Sequence, residues 1–383
     1  MEPVAEEGKE RKPSRKHYID NIRSMCILLL VPYHAAMAWN CWGEGNYIWF
    51  SNNRILSSFI TFLSPWYMSL LFVLAGISLF YSLRKRSASL VIKERLCKLA
   101  LPLVAGMLTV VPLMTYYADK FHTGYRGSFW DHYFVFFSRF TTLTGYDGGF
   151  TPAHLWFLFY LLIISLLCLG IISLQKRLIP KLPQRHNLSS GNPSIIRQLF
   201  MVYGLGIFPV VLSPVLNIAG KSLGTFLAFF LLGYYVFSRE DIMALIVRTR
   251  WIQSGLMIFF GILYTYLFLW TDSINLIMKT IAMYLAGWFG ILTMLGFGEA
   301  HFNQNNRITE YLCSRSFLFY IFHFVWVIVF QYYLCQFTLS DTAIYIISVF
   351  GSYIMTFLMI EVISRVPIVS FLFGVKRKRA SKA

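Results

Sequence analysis

Ten stretches of the chain are almost free of charged residues, and each is about long enough to cross a bilayer as a helix. A hydrocarbon core about 30 Å thick needs roughly 20 mostly apolar helical residues. The fifth stretch is the least regular, because Pro209 and Pro214 interrupt it. The sequence therefore predicts an all-α polytopic bundle of about ten transmembrane spans. The stretches lie near residues 18–39, 56–82, 96–117, 153–173, 198–217, 222–238, 251–270, 274–297, 311–335 and 342–363.

The composition agrees with a membrane protein. Hydrophobic residues make up 57% of the chain and charged residues 13%, with a mean hydropathy of +0.59, whereas soluble proteins average about 45–50% and about 25%. The net charge of +17 would suggest nucleic acid as the partner of a soluble protein. Here the charges lie between the apolar stretches, so we expect a lipid bilayer around the chain and no nucleic-acid partner.

The distribution of positive charge predicts the topology, because Lys and Arg near span ends favour the cytoplasm. Alternate loops, together with the two terminal segments, hold 27 of the 34 Lys and Arg residues. We therefore expect both termini in the cytoplasm. The predicted organisation is a cytoplasmic basic N-terminal segment (1–17), one membrane domain (18–363) and a cytoplasmic basic tail (364–383).

The largest predicted external segment, residues 118–152, is rich in aromatic residues. It is consistent with an amphipathic helix along the membrane interface, and its aromatic residues suit sugar stacking. They equally suit a belt at the level of the headgroups. The sequence leaves these alternatives open.

The first span contains three ionisable side chains, which inside a membrane indicate function by default. Arg23 and His34 are eleven residues apart, so they share one helix face about 16 Å apart along the axis, and Asp20 lies on the same face as Arg23. Pro32 removes a helix hydrogen bond near His34 and predicts a kink there. An imidazole titrates near neutrality and is the commonest general base. His34 is therefore either a functional residue or a buried histidine hydrogen-bonded to a neighbouring helix, and Arg23 on the same face favours the functional role.

The ninth span carries a second polar pattern. Ser316, Tyr320 and His323 are spaced by four and three residues and form one stripe on the helix. The stripe either lines a cavity that His34 faces or joins helices through hydrogen bonds. Glu361, near the end of the last span, is predicted to neutralise Arg23 or Arg95.

Several segments resemble the acyltransferase 3 family of membrane O-acyltransferases. Arg23 and His34 form an Arg-x10-His pattern after a Tyr-Ile-Asp run, and the second span reads LLFVLAGISLFYSL, with Ala75-Gly76 where serine-glycine is usual. The loop KERLCKLALPL is similar to the family's Arg-x-x-Arg, with Lys98 in place of the second arginine. The segments HLWFLFYLL and SFLFYIFH, which contain His154 and His323, also resemble it.

The resemblance implies transfer of an acetyl or succinyl group from cytoplasmic acyl-CoA to a hydroxyl of an envelope glycan or similar acceptor. The enzyme would lie in a bacterial plasma membrane, and a glucan succinyltransferase-like branch fits the stand-alone architecture. Acyl-CoA would be a co-substrate, with no bound cofactor or metal, and a homo-oligomer stays open. The alternative is a transporter of a glycan or lipid-linked precursor. We predict His34 and Arg23 as catalytic residues and, as substrate-binding residues, Arg95, Lys98, Tyr320, His323, Ser316, Asp20 and Glu361.

Overall fold

The computed structural model describes residues 15–141, 143–179, 195–218, 220–272 and 275–374. Within these ranges the chain is mostly helical, which confirms the predicted all-α bundle. Two short strands, β1 (Asn217–Ile218) and β2 (Lys221–Ser222), form an antiparallel hairpin. The helices are α1 (His17–Ala36), α2 (Arg54–Leu63), α3 (Tyr67–Leu83), α4 (Ala88–Arg95), α5 (Leu101–His122), α6 (Phe129–Ser138), α7 (Trp156–Leu178), α8 (Ile195–Gly204), α9 (Ile207–Val211), α10 (Leu223–Tyr235), α11 (Glu240–Arg248), α12 (Arg250–Leu269), α13 (Leu276–His301), α14 (Arg307–Leu334), α15 (Asp341–Arg365) and α16 (Pro367–Leu372).

In the described part of the chain, eight helical segments are long and apolar enough to cross a membrane. They are His17–Trp39, Arg54–Leu83, Ala88–His122, Ala153–Leu178, Arg250–Leu269, Leu276–His301, Arg307–Leu334 and Asp341–Arg365. They coincide with eight of the ten predicted stretches.

The other two predicted stretches, 198–217 and 222–238, form the shorter apolar helices Ile195–Val211 and Leu223–Tyr235. The first is broken after Gly204, where α8 ends. The second, α10, has 13 residues and rises only about 20 Å, less than the thickness of the hydrocarbon core. Both are therefore too short to span as straight helices. The side of the membrane on which each terminus lies stays a prediction, as does the division at residues 17 and 363.

Helix α14 occupies the centre of the bundle, where it packs against α1, α5 and α15. Its middle turns are buried on several sides, including Phe319, Phe322 and Ile328. A helix buried around its circumference is typical of the core of a membrane bundle. This position brings the polar residues of α14 beside the first span.

Two glycines allow α3 and α10 to touch along their backbones. A Cβ atom at Gly76 would lie 2.1 Å from the carbonyl oxygen of Phe230, and one at Gly233 would lie 2.2 Å from that of Val73. Small residues at helix crossings are common in membranes, where close packing drives association. Gly76, part of the segment that resembles the family, therefore has a steric reason to be glycine.

The predicted external segment contains the helix α6. Its N-terminus is stabilised by a capping box, in which the side chains of Ser128 and Asp131 each accept a hydrogen bond from the other residue's backbone N–H. Trp130 and Phe134 are exposed at 72% and 76%, whereas His132 on the same helix is fully buried. The helix is thus amphipathic, with an aromatic face free to meet a membrane interface.

Candidate active site

The carbonyl groups of the first span around His34 are bound by side chains of neighbouring helices. Pro32 has no N–H, so the helix leaves the carbonyl of Leu28 without its usual donor. The hydroxyl of Tyr353 on α15 donates to that oxygen at 2.7 Å. The buried Gln331 on α14 donates to the carbonyl of Ala35 at 2.9 Å. These two bonds fix the position of α1 on both sides of His34.

Three histidines from three helical segments meet beside this part of α1. His34 lies on α1, His323 on α14, and His154 in the short helical turn Ala153–Leu155 that leads into α7. The ring centroids of His34 and His323 are 5.4 Å apart, and those of His154 and His323 are also 5.4 Å apart. The fold therefore brings together residues 120 or more positions apart in the sequence.

Backbone carbonyls fix the tautomers of two of these rings. The Nε2 atom of His154 lies 3.0 Å from the carbonyl oxygen of Ile321, and the Nδ1 atom of His323 lies 2.8 Å from that of Tyr320. A carbonyl oxygen only accepts, so each facing nitrogen carries the hydrogen. The other nitrogens, Nδ1 of His154 and Nε2 of His323, are buried without a hydrogen-bond partner among the described residues. Two imidazole lone pairs are therefore available to a donor.

His34 is the most accessible of the three histidines. It is partly exposed, whereas His154 and His323 are buried. Its ring stacks on Phe324 with centroids 4.0 Å apart, and Tyr33 packs edge-on at 5.6 Å. A substrate that reaches the cluster would therefore meet His34 first.

Arg23 is held at the opposite end of α1. Its guanidinium donates to the Asp20 carboxylate at 2.9 Å and to the Ser78 hydroxyl of α3, also at 2.9 Å. Arg15 binds the other oxygen of Asp20 at 2.7 Å. Asp20 is thus shared by two arginines, and it orients Arg23 while leaving a net positive charge at this end of the span.

Arg95 and Lys98 lie at the junction between α4 and α5. Arg95 is the last residue of α4, and Lys98 belongs to a π-helical turn, Leu96–Ala100, that joins the two helices. Such turns occur frequently at functional sites. Arg95 is close enough to Arg23 for their positive charges to repel each other. Two neighbouring guanidinium groups suit an anionic ligand such as a phosphate.

The residues of the polar stripe on α14 differ in role. The two predicted roles were lining the cavity that His34 faces and joining helices through hydrogen bonds. The Tyr320 hydroxyl donates to the backbone carbonyl of His154 and so joins α14 to the segment before α7. His323 lies against His34, as a residue of the site would. Ser316 instead donates to the Cys313 carbonyl of its own helix at 3.1 Å.

Glu361 does not neutralise Arg23 or Arg95. It accepts hydrogen bonds from Arg315 at 3.0 and 3.3 Å and from the Tyr311 hydroxyl at 3.0 Å. The predicted ion pair is therefore wrong, because α14 lies next to α15 and supplies a nearer cation. The substrate-binding role given to Glu361 stays a prediction.

Two residues beside the predicted site were not included in it. His154 appeared only as the first residue of a segment resembling the family, although an ionisable residue at the start of an apolar run is itself a signal. Ser78 lies in the second-span segment that resembles the family, but nothing in the sequence singled it out. It becomes visible only because α3 packs against α1.

The histidine cluster is not arranged as a metal site. No group of three His, Cys, Asp or Glu side chains in the described ranges is placed to hold a metal ion. One ring nitrogen of His154 and one of His323 donate to backbone carbonyl oxygens. This arrangement suits neutral imidazoles, whose other nitrogen can accept a proton.

The eight membrane-length helices of the described residues and the cluster of three histidines define the class of the protein as a polytopic membrane protein with candidate catalytic bases. The profile of the family described as "Acyltransferase domain" matches residues 16–361. The chain belongs to this acyltransferase 3 family, and it is an acyltransferase. This assignment favours the enzyme over the transporter alternative.

Curated relatives extend over nearly the whole chain. The glucans biosynthesis protein C of Salmonella typhimurium is 23% identical, and the match covers 96% of this chain and 97% of that protein. The protein of the same name from Escherichia coli O6:K15:H31 is 22% identical, with 94% and 95% covered. No solved structure matches this chain.

Proposed function

We propose that this membrane acyltransferase transfers an acetyl or succinyl group from cytoplasmic acyl-CoA to a hydroxyl group of an envelope glycan. The relatives named for glucan biosynthesis support a glucan as the acceptor class. The named relatives come from bacteria, which supports a bacterial plasma membrane as the location in this proposal.

The observation that carries the proposal is the position of His34. It is the accessible member of a group of three histidines, and it lies about 16 Å along α1 from Arg23. One end of the span therefore offers positive charge and the other offers bases. A donor with a phosphate-rich head and a reactive thioester at the end of a long arm matches this separation.

The head of acyl-CoA would bind at the cationic end of α1. Its phosphates would pair with Arg23 and Arg95, and Lys98 lies three residues further on at the mouth. Arginine binds phosphate oxygens bidentately, whereas lysine acts as a point charge. Asp20 would hold Arg23 in place for this contact through the bond it already makes.

Two chemical routes are consistent with the cluster. In the first, His34 removes the proton of the acceptor hydroxyl while the hydroxyl oxygen attacks the thioester carbonyl. The CoA thiolate then leaves and takes up that proton from His34. In the second, the His34 nitrogen attacks the thioester, and CoA leaves before the acceptor hydroxyl displaces the acyl group from the ring. Both routes end in an ester and free CoA.

His154 and His323 would act on His34 as positioning residues. Their tautomers are fixed by the carbonyls of Ile321 and Tyr320, so each presents a lone pair inside the cluster. A lone pair that accepts a hydrogen from the His34 ring would hold that ring in one orientation. Tyr320 would hold His154 in place through its bond to the backbone.

The proposal is tested by acyl transfer in membranes that contain wild type, His34→Ala or His301→Ala at matched protein levels. Radiolabelled acetyl-CoA and succinyl-CoA are supplied with envelope glucan, and label in the glucan is counted. Removing a general base costs about 10²- to 10⁴-fold in rate, so we expect His34→Ala to abolish labelling. His301 is exposed at the end of α13, and its substitution should leave labelling unchanged.

Equal labelling by wild type and His34→Ala would refute a chemical role for His34, and no labelling with either donor would refute the donor class. Incubation without acceptor separates the two routes. Label retained on the denatured wild-type protein but not on His34→Ala supports the acyl-histidine, and its absence supports direct attack.

A further inference from the structure

Tyr67, the first residue of α3, lies at the same depth in the bundle as His34. Arg23 on α1 donates to the hydroxyl of Ser78 on α3 at 2.9 Å. The rings of Tyr33 and Tyr67 are in contact, with centroids 5.0 Å apart. The two helices therefore run in opposite directions. His34 follows Arg23 by eleven residues, and Tyr67 precedes the bonded serine by eleven, so each lies about 16 Å from that hydrogen bond.

The side chain of Tyr67 lies beside the histidine cluster. Tyr33, which contacts it, also packs edge-on against His34 at 5.6 Å. Tyr67 is close enough to Tyr320 for their hydroxyl groups to interact electrostatically. The Tyr320 hydroxyl in turn donates to the backbone carbonyl of His154. Tyr67 thus adjoins both the first span and the segment that carries a second histidine of the cluster.

The hydroxyl of Tyr67 has no hydrogen-bond partner among the described residues, although the residue is only 4% exposed. The two neighbouring tyrosines are satisfied, because Tyr33 bonds the Ser64 hydroxyl at 2.9 Å and Tyr320 bonds a backbone carbonyl. Buried polar groups in proteins are nearly always hydrogen-bonded. The Tyr67 hydroxyl is therefore available to a partner from outside the chain.

This hydroxyl is also accessible to a ligand. Within the described ranges, the side-chain atoms that are both enclosed and unpaired include Nδ1 of His154 and Nε2 of His323, but neither the Tyr67 hydroxyl nor a ring nitrogen of His34. Both of the latter groups therefore keep part of their surface open. Because they lie at one depth and share a contact with Tyr33, one ligand can touch both.

A thioester that reacts beside His34 needs a hydrogen-bond donor at its carbonyl, because attack moves negative charge onto the carbonyl oxygen. Arg23 is held at the far end of the span by its two hydrogen bonds. The ring N–H groups of His154 and His323 already donate to backbone carbonyls. The Tyr67 hydroxyl is a donor near His34 that these bonds leave unused.

We propose that Tyr67 is a further catalytic residue of the acyl transfer proposed above, on which this inference rests. Its hydroxyl donates a hydrogen bond to the carbonyl oxygen of the donor thioester. When the nucleophile attacks, the carbonyl π pair becomes a lone pair on that oxygen, and the hydrogen bond strengthens without transfer of its proton. When the C–S bond breaks, that lone pair re-forms the carbonyl and CoA leaves as the thiolate. The same contact serves attack by the acceptor hydroxyl or by His34.

The first test compares Tyr67→Phe with wild type at matched protein levels in the glucan-labelling assay. Loss of one donor to the developing oxyanion costs about 10²- to 10³-fold in kcat, and we expect that loss with little change in the KM for acyl-CoA. The melting temperature in detergent should not fall, because the substitution removes a hydroxyl without a partner in the chain. Tyr266→Phe is the matched control, since Tyr266 is 55% exposed on α12, and it should leave kcat unchanged.

A second measurement follows the hydrogen bond itself. Isotope-edited infrared spectra of carbonyl-labelled acetyl-CoA and succinyl-CoA are recorded with His34→Ala, in which the donor is not consumed, and with the double variant His34→Ala/Tyr67→Phe. A hydrogen bond lowers the stretching frequency of a carbonyl group. The thioester band should therefore lie at lower frequency in His34→Ala than in the double variant.

Equal kcat values for wild type and Tyr67→Phe, with both labelling the glucan, would overturn the role of Tyr67 and leave the proposed function standing. A loss expressed only in the KM for acyl-CoA would overturn it as well. No labelling by wild type would refute the proposed function instead. The infrared spectra then decide on Tyr67 alone, and identical thioester bands in the two variants would overturn its role.

Discussion

Tyr353 completes the hydrogen bonding of the first span by donating to the carbonyl of Leu28, the acceptor left free by Pro32. The bond joins α15 to α1 less than two turns from His34. A proline in a membrane helix is tolerated when a neighbour satisfies the freed group. The helix that carries the proposed base is therefore positioned by a residue more than 300 positions away in the sequence.

Tyr353→Phe should destabilise the protein and displace His34. The substitution leaves the Leu28 carbonyl inside the span without a donor, which costs about 1–3 kcal/mol. Both the melting temperature in detergent and the rate of acyl transfer should fall. Tyr345→Phe is the matched control, because its hydroxyl reaches the Pro32 carbonyl only at 3.4 Å. Equal effects of the two variants would contradict the assigned role of Tyr353.

Gly76→Ala should destabilise the contact between α3 and α10. The added methyl group would lie 2.1 Å from the Phe230 carbonyl oxygen, so the helices must separate, at a cost of about 1–3 kcal/mol. Thermal unfolding measures the loss. Gly170→Ala on α7 meets nothing within 4 Å and should be neutral or slightly stabilising, and a similar loss in both variants would refute the steric argument.

Substitution of the cationic residues should weaken donor binding selectively. Arg23→Gln and Arg95→Gln each remove a charge-assisted contact worth about 1.5–3 kcal/mol, so the KM for acyl-CoA should rise about tenfold or more while the KM for the acceptor changes little. Arg177→Gln is the control, because Arg177 is exposed at the end of α7. An unchanged KM for acyl-CoA in all three would exclude this end of α1 as the donor site.

Acidification should destabilise the external segment through His132. Burial lowers the pKa of His132 below its usual 6.5, although Asp119, whose carboxylate lies 3.3 Å from Nε2, opposes this shift. Arg139, 3.7 Å from the same carboxylate, favours the neutral ring as well. The unfolded chain then binds the proton more readily than the folded one below pH 6.5, so stability is lost as the pH falls toward the folded-state pKa, by up to about 1.4 kcal/mol per pH unit.

This pH dependence is measured as the difference in melting temperature between pH 7.5 and pH 5.5. His132→Gln should reduce the difference, because the group that titrates is gone. His301→Gln changes an exposed histidine and should leave the difference as in wild type. A drop of the same size in wild type and His132→Gln would assign the acid sensitivity to another group.

The apolar stretches and the helical spacing predicted the bundle, because the bilayer imposes a length and a polarity on each span. The pairing of Asp20 with Arg23 is local, three residues apart on one helix, and could be expected from the spacing. The ion pair of Glu361 with Arg315 could not be expected from spacing, because it depends on which helix lies beside α15. That the stretches 198–217 and 222–238 form helices shorter than a span was not expected, because hydropathy does not report where a helix breaks.

The sequence by itself determined the membrane class, the family and the residues Arg23 and His34 at the two ends of one helix face. Only the tertiary structure decided that His154 and His323 cluster with His34 and that Tyr353 satisfies the carbonyl freed by Pro32. Local periodicity fixes which side of a helix a residue occupies. The neighbour on that side depends on how distant helices pack, and packing is set by side-chain shapes spread over the whole chain.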